Sequence, residues 1–103
     1  MHAVLVTFTT EVTLDDLAGP FTDYAHGLCS MNGLVSKTWI RDGNTLGGFH
    51  VFTSRTTADA YLESDMAAGL IANPAFSGFA IDHYEILDEL SAITGSPRIP
   101  LAA

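Results

Sequence analysis

Apolar and polar positions along this chain change period several times, and each change marks an element. Ala3 to Phe8 is a short, β-branched run that is apolar on both alternating sets, which predicts a strand in the interior of a sheet. From Thr13 the apolar positions recur at three- and four-residue steps, Leu14, Leu17, Phe21, Tyr24 and Leu28, with Thr13 and Asp16 as a capping-box-like start. That spacing predicts an amphipathic helix ending by Asn32-Gly33. Gly19-Pro20 falls inside it, so the helix is either kinked there or regular only from Pro20 onward.

Alternation returns at Leu34 to Arg41 and Leu46 to Thr53, two strands around the hairpin signal "DGNT". Thr56 with Asp59 predicts the cap of a second helix, with Ala58, Tyr61, Leu62, Met66 and Leu70 on its inward stripe and "ANPAFSG" as its end. Phe79 to Leu87 predicts the last strand. Residues 88–103 then read as a C-terminal arm, a short turn followed by the Gly- and Pro-punctuated "GSPRIPLAA". The order β-α-β-β-α-β is that of a ferredoxin-like α+β fold, one four-stranded antiparallel sheet with two helices on one face. The whole chain, 1–103, is one domain.

The hairpin turn fixes a register. With Gly43 and Asn44 as loop residues, Asp42 faces Thr45, Trp39 faces Gly48 and Lys37 faces His50, all on one side of the sheet. Gly48 would leave room for the Trp39 indole. Leu34, Thr38, Ile40, Phe49 and Val51 fall on the other side, which this register assigns to packing under the helices. The face carrying Lys37, Trp39 and His50 is then bare, and two subunits packing sheet against sheet would enclose a cavity there.

Composition sharpens this picture. Hydrophobic residues make up 48% of 103 positions and charged residues only 16%, an apolar balance for so small a domain that calls for a covering partner, most simply a twofold homodimer. A formal charge of -8 disfavours nucleic acid and anionic membrane surfaces. Cys29 has no second cysteine to pair with, which fits a reducing cytoplasm. No apolar run approaches the length of a membrane span, and "MHAVLVTFTT" lacks the pattern of a signal peptide.

Lys37 is the only lysine and Trp39 the only tryptophan, and their register partner is one of four histidines. A nearby ammonium keeps an imidazole neutral, and a neutral imidazole can serve as a base. In an apolar pocket Lys37 would either lose its proton or stay charged and hold an oxyanion, and Trp39 would offer a flat surface to an aromatic ligand. Each residue also has an ordinary reading: a lysine stem crossing apolar surface to water, a core or interface indole, a hydrogen-bonded histidine. No set of side chains has metal-ligand spacing, and Asp82 and His83 point to opposite faces.

At "GLVSKTW", "GGFHVFTSRTTADAYLE" and "HYEILDELSAITG" the chain resembles the YdhR-like monooxygenase family over nearly its whole length. The residues that carry the likeness are Gly33, Lys37, Trp39, Gly47, Gly48, Phe52, Ala60, Tyr61, Leu62, Glu63, Leu90 and Ser91. The resemblance implies a dimeric α+β barrel. It further implies oxidation of an aromatic, polyketide-like phenol by molecular oxygen with neither metal nor flavin. On this reading His50 and Lys37 are catalytic and Trp39, Phe52 and Gly48 contact substrate, His50 being chosen from the residues and not from the likeness. Two other functions fit the same cavity: a non-catalytic barrel binding a hydrophobic aromatic, and a proton-transfer isomerase.

Overall fold

The computed structural model describes residues 1–95. Strand β1 (His2–Thr10) leads into helix α1 (Leu14–Leu28), the hairpin β2 (Leu34–Asp42) and β3 (Thr45–Phe52), helices α2 (Arg55–Leu62) and α3 (Asp65–Ala72), strand β4 (Phe76–Glu85) and helix α4 (Asp88–Thr94). The four strands form one antiparallel sheet in the order β2-β3-β1-β4, so the apolar first strand is an interior one. This is the ferredoxin-like α+β fold expected from periodicity.

Local chemistry sets the boundaries. The Thr13 hydroxyl accepts the Asp16 amide and starts α1, which runs on through Pro20. Pro20 has no N–H to give to the Asp16 carbonyl, and Gly19 before it lacks the Cβ that the proline ring would crowd in a helical conformation. The second helix begins two residues earlier than expected: Ser54, not Thr56, is its cap, in a reciprocal box with Thr57, while Asp59 pairs with Arg55 at 3.3 Å. Its stripe is also split, because the Ser64 hydroxyl accepts the Ala67 amide and starts α3 afresh. β4 begins at Phe76, three residues before the predicted start. A register shift between Thr7 and Thr9, with Gly78 at φ 65°, lets the strand continue past the point where "ANPAFSG" reads as a breaker. The expected arm begins as α4, whose N-terminal residue Asp88 pairs with the Met1 amine at 2.7 Å; the remainder, 96–103, lies outside the described residues.

The hairpin register is as expected, Asp42 with Thr45, Trp39 with Gly48 and Lys37 with His50. The choice of face is not. Val4, Val6 and Phe8 of β1 and Phe52 of β3 form the core under the helices, and Val4 lies opposite His50 and Val6 opposite Gly48. The set containing Lys37, Trp39 and His50 therefore lies beneath α1 and α2. Leu34 also packs against this core, across the shift that separates it from Ser36. Thr38, Ile40, Phe49 and Val51 alternate onto the other side. Alternation alone makes the two faces equivalent; the bulky set Val4, Val6 and Phe8, against Ala3, Leu5 and Thr7, decides between them.

Two glycines of β3 permit this packing. A Cβ on Gly47 would stand 2.1 Å from the Val6 carbonyl oxygen, whereas one on Gly69 in α3 would meet nothing within 4 Å. Gly47→Ala should force β3 from β1 and destabilise the fold by roughly 2 kcal/mol or more. Gly69→Ala should stabilise it by about 0.5–1 kcal/mol through helix propensity. Denaturant unfolding of both variants tests the pair; equal stabilities would show that the close approach at Gly47 is not a constraint.

Candidate active site

His50 is the most enclosed polar side chain of the sheet, 1% exposed. Its Nδ1 lies 3.1 Å from the Val4 carbonyl of the adjoining strand, an acceptor only, so Nδ1 carries the proton and donates. Nε2 is left as an acceptor, buried and without a hydrogen-bond partner among the described residues. The ring packs between Phe52 and Tyr61, at centroid distances of 6.2 and 5.5 Å. Burial pushes the imidazole down to about 4, with the Lys37 ammonium adding to the shift and the Val4 and Gly48 backbone opposing it. At neutral pH it is an uncharged imidazole with a free ring nitrogen.

Lys37 lies flat across the neighbouring position. A Cβ on Gly48 would come within 2.4 Å of Lys37 Cε and 3.1 Å of His50 Cε1, so this glycine makes room for the lysine stem and not, as its pairing suggested, for the Trp39 indole. Nζ sits 3.6 Å from the Trp39 ring centroid and 5.1 Å from that of Tyr24. Among the described residues no carboxylate pairs with it. The ring faces replace only part of the lost hydration, and burial pushes the ammonium down to about 8.

Tyr24 of α1 and Tyr61 of α2 close the site from above, their hydroxyls 2.5 Å apart. Burial raises both phenols, Tyr61 further through its bond to Tyr24 and that neighbour's charge, so neither competes as a base near neutrality. Around Lys37 and His50 is an enclosed void of about 20 Å³, lined also by Val6, Phe8, Phe21 and Leu70. A larger cleft of about 570 Å³ opens beside it between α1 and the hairpin, with Leu14, Ala18, Ala25, Ile40 and Arg41 among its walls. Phe8, Phe21, Trp39 and Gly47 line both spaces. Trp39, 40% exposed and 5.2 Å from the Phe21 ring, stands between them.

Of the five site residues predicted from the sequence, four come together here: His50, Lys37, Gly48 and Trp39. Phe52 does not line the cavity. It is fully buried and backs the His50 ring, so its assignment to substrate contact is corrected to core support. The space that Lys37, Trp39 and His50 line lies within one chain, between sheet and helices, and not on the bare face to which the sequence reading assigned them. Tyr24, Tyr61 and Phe21 stand on the predicted helix stripes, Tyr61 also among the residues that carry the likeness, and sequence reasoning assigned none of them to the site. The signal was in their chemistry, since a tyrosine on an inward stripe needs a partner for its hydroxyl. Elsewhere, His2 and His83 satisfy each other at 2.8 Å, and among the described residues no group of three or more His, Cys, Asp and Glu side chains could hold a metal. None of the described helices is long and apolar enough to cross a membrane.

A family described as "Putative mono-oxygenase ydhR" matches residues 4–97. Several solved structures share the fold. A protein of unknown function from Nitrosomonas europaea is 22% identical, with a TM-score of 0.62 over 84% of this chain and 88% of that one. SnoaB, a cofactor-independent oxygenase from Streptomyces nogalater, is 17% identical, with a TM-score of 0.67 over 82% and 91%. MhuD from Mycobacterium tuberculosis, a heme-degrader with two hemes bound in its active site, is 14% identical, with a TM-score of 0.65 over 84% and 96%. At these identities the likeness is one of fold. Comparison with curated proteins finds no match.

The low proton affinity of His50 has a consequence for stability. The unfolded chain takes up a proton at the ordinary value of 6.5 and the folded chain only near 4, so the contribution is whole above pH 6.5 and is lost as pH falls toward 4. The loss amounts to about 3 kcal/mol. Unfolding by denaturant at steps across this range should show it, with His50→Asn giving a flatter curve. An equally steep curve for the variant would mean that His50 is not held neutral.

Proposed function

As the chain belongs to the family of mono-oxygenases matched over residues 4–97, we propose that it is a cofactor-independent monooxygenase of a small aromatic or polyketide-like phenol. One observation carries this reading: a neutral, buried imidazole stands beside an ammonium, next to an aromatic-walled cleft, and among the described residues the imidazole Nε2 has no hydrogen-bond partner and the ammonium no carboxylate. A base and an anion site so placed can generate and hold a phenolate or carbanion, which is the protein's share of such chemistry.

The void at His50 is too small for a ring, so the substrate's aromatic body occupies the cleft against Trp39 and Phe21 while its acidic group points inward. His50 Nε2 takes the proton, and Lys37 holds the resulting oxyanion. The anion then passes one electron to molecular oxygen, and the radical and superoxide combine to form a carbon–oxygen bond. Loss of water leaves one oxygen atom in the product as a carbonyl. The apolar walls keep bulk water from the anion. Heme, which MhuD holds, finds poor support here, because among the described residues no imidazole, thiol or thioether lines the larger cleft. We place a homodimer partner on the opposite face of the sheet, where Leu5, Phe49 and Tyr84 are left partly open.

Oxygen uptake with a panel of acidic phenols and anthrone-type substrates, with product mass, tests the reading. The expected product is heavier by one oxygen atom less two hydrogens, and His50→Ala should lower turnover by about 100-fold or more. Binding should also quench the fluorescence of Trp39, the chain's only indole. Saturable quenching without oxygen uptake would leave a binding protein and overturn the oxygenase. A product of unchanged mass would make it an isomerase.

A further inference from the structure

Lys37 has the surroundings of a nucleophile as well as those of an anion site. Its stem is fixed by the crease at Gly48, its amine rests on the Trp39 face, and no carboxylate among the described residues holds it as ammonium. The neighbouring group, His50, is a neutral imidazole whose Nε2 has no partner among the described residues and can relay the proton that the nitrogen sheds once it has attacked a carbonyl. The adjoining cleft is walled by Phe8, Phe21 and Trp39, surfaces suited to a flat ring.

We propose that Lys37 captures aromatic aldehydes bound in this cleft as a covalent imine. The uncharged amine attacks the carbonyl carbon, forming a carbon–nitrogen bond as the carbon–oxygen double bond opens. A proton moves from nitrogen to oxygen through His50, water leaves, and a carbon–nitrogen double bond remains. Neither oxidant nor reductant takes part. The small population of free amine needed is far larger here than on an ordinary lysine: burial lowers the ammonium to about 8, which gives on the order of 100-fold more free amine at neutral pH. The charged majority is compatible with holding an oxyanion, so the same residue serves both chemistries. The proposal relies on the cleft as the aromatic site but not on oxygen.

The chain's single lysine makes the test unambiguous, since the N-terminal amine is the only other primary amine. Salicylaldehyde with cyanoborohydride, under nitrogen at pH 7, should alkylate Lys37 once, saturably, and at least ~10-fold faster than the side-chain amine of N-acetyl-lysine. Peptide mass mapping locates the label. The rate on the native protein should rise with pH through a midpoint near 8, and Lys37→Arg should retain only labelling of Met1. Labelling confined to Met1, or a Lys37 rate equal to that of the free amino acid, would overturn the proposal, and the native-protein pH profile decides even if the variant does not fold. If Lys37 is inert while phenols still quench Trp39, only the imine is lost; if neither binding nor labelling occurs, the cleft is not the aromatic site and both readings fall. Labelling without oxygen uptake in air would support the imine and remove the oxygenase.

Discussion

The Gly47-Gly48 pair in β3 is the constraint on which the site rests. Gly47 lets the Val6 carbonyl come as close as a sheet backbone can, and Gly48 lets the Lys37 stem lie across the strand instead of rising to water. With a side chain at Gly48, Lys37 would be displaced from the surface that dehydrates it, and the ammonium would recover its ordinary hydration. His50 would lose its charged neighbour, and the floor between void and cleft would be rebuilt. One missing methyl group, at Gly48, thus governs the proton affinities of two ionisable groups, on a strand pairing that the other, at Gly47, permits.

Most of the polar groups in this core are matched locally, which makes the unmatched ones informative. His2 and His83 pair across β1 and β4, Tyr24 and Tyr61 pair across α1 and α2, and His50 gives its one proton to Val4. Against that pattern, among the described residues Nε2 of His50 and Oγ of Ser36 have no hydrogen-bond partner and the Lys37 ammonium meets ring faces but no carboxylate, costs the fold carries. A core built only for stability would be better served by apolar residues of the same size in place of Lys37 and His50.

The sequence reveals a good deal of this, for identifiable reasons. Register was legible because a two-residue turn at Gly43-Asn44 leaves one way to align the flanking strands, and it brought Lys37, Trp39 and His50 together without any likeness to other proteins. Which side of the sheet they occupy was not legible, since alternation has no sign; the comparison of Val4, Val6 and Phe8 with Ala3, Leu5 and Thr7 was available but is a matter of volume, not period. The break at Ser64 was hidden because the apolar stripe continues through it, and a serine reads as a cap only when the chain actually turns there. Phe52 looked like a site residue because it shares a face with His50; that face extends beyond the cavity into the core, and position along the strand decides which part a side chain meets.

Pro20 divides α1 into unequal parts. Leu14, Asp15 and Ala18, ahead of it, line the larger cleft together with Phe21, Thr22 and Ala25 beyond it, whereas Tyr24 and Leu28 belong to the site's roof and the core. The missing amide at Pro20 leaves the first part joined to the second by one backbone hydrogen bond fewer than a regular helix would have. The outer wall of the cleft can therefore give way by fraying from its capped end, while the tyrosine roof over Lys37 stays in place. Only the part of the wall ahead of Pro20 has that freedom; Phe21, Thr22 and Ala25 share the helical half that holds the tyrosine roof.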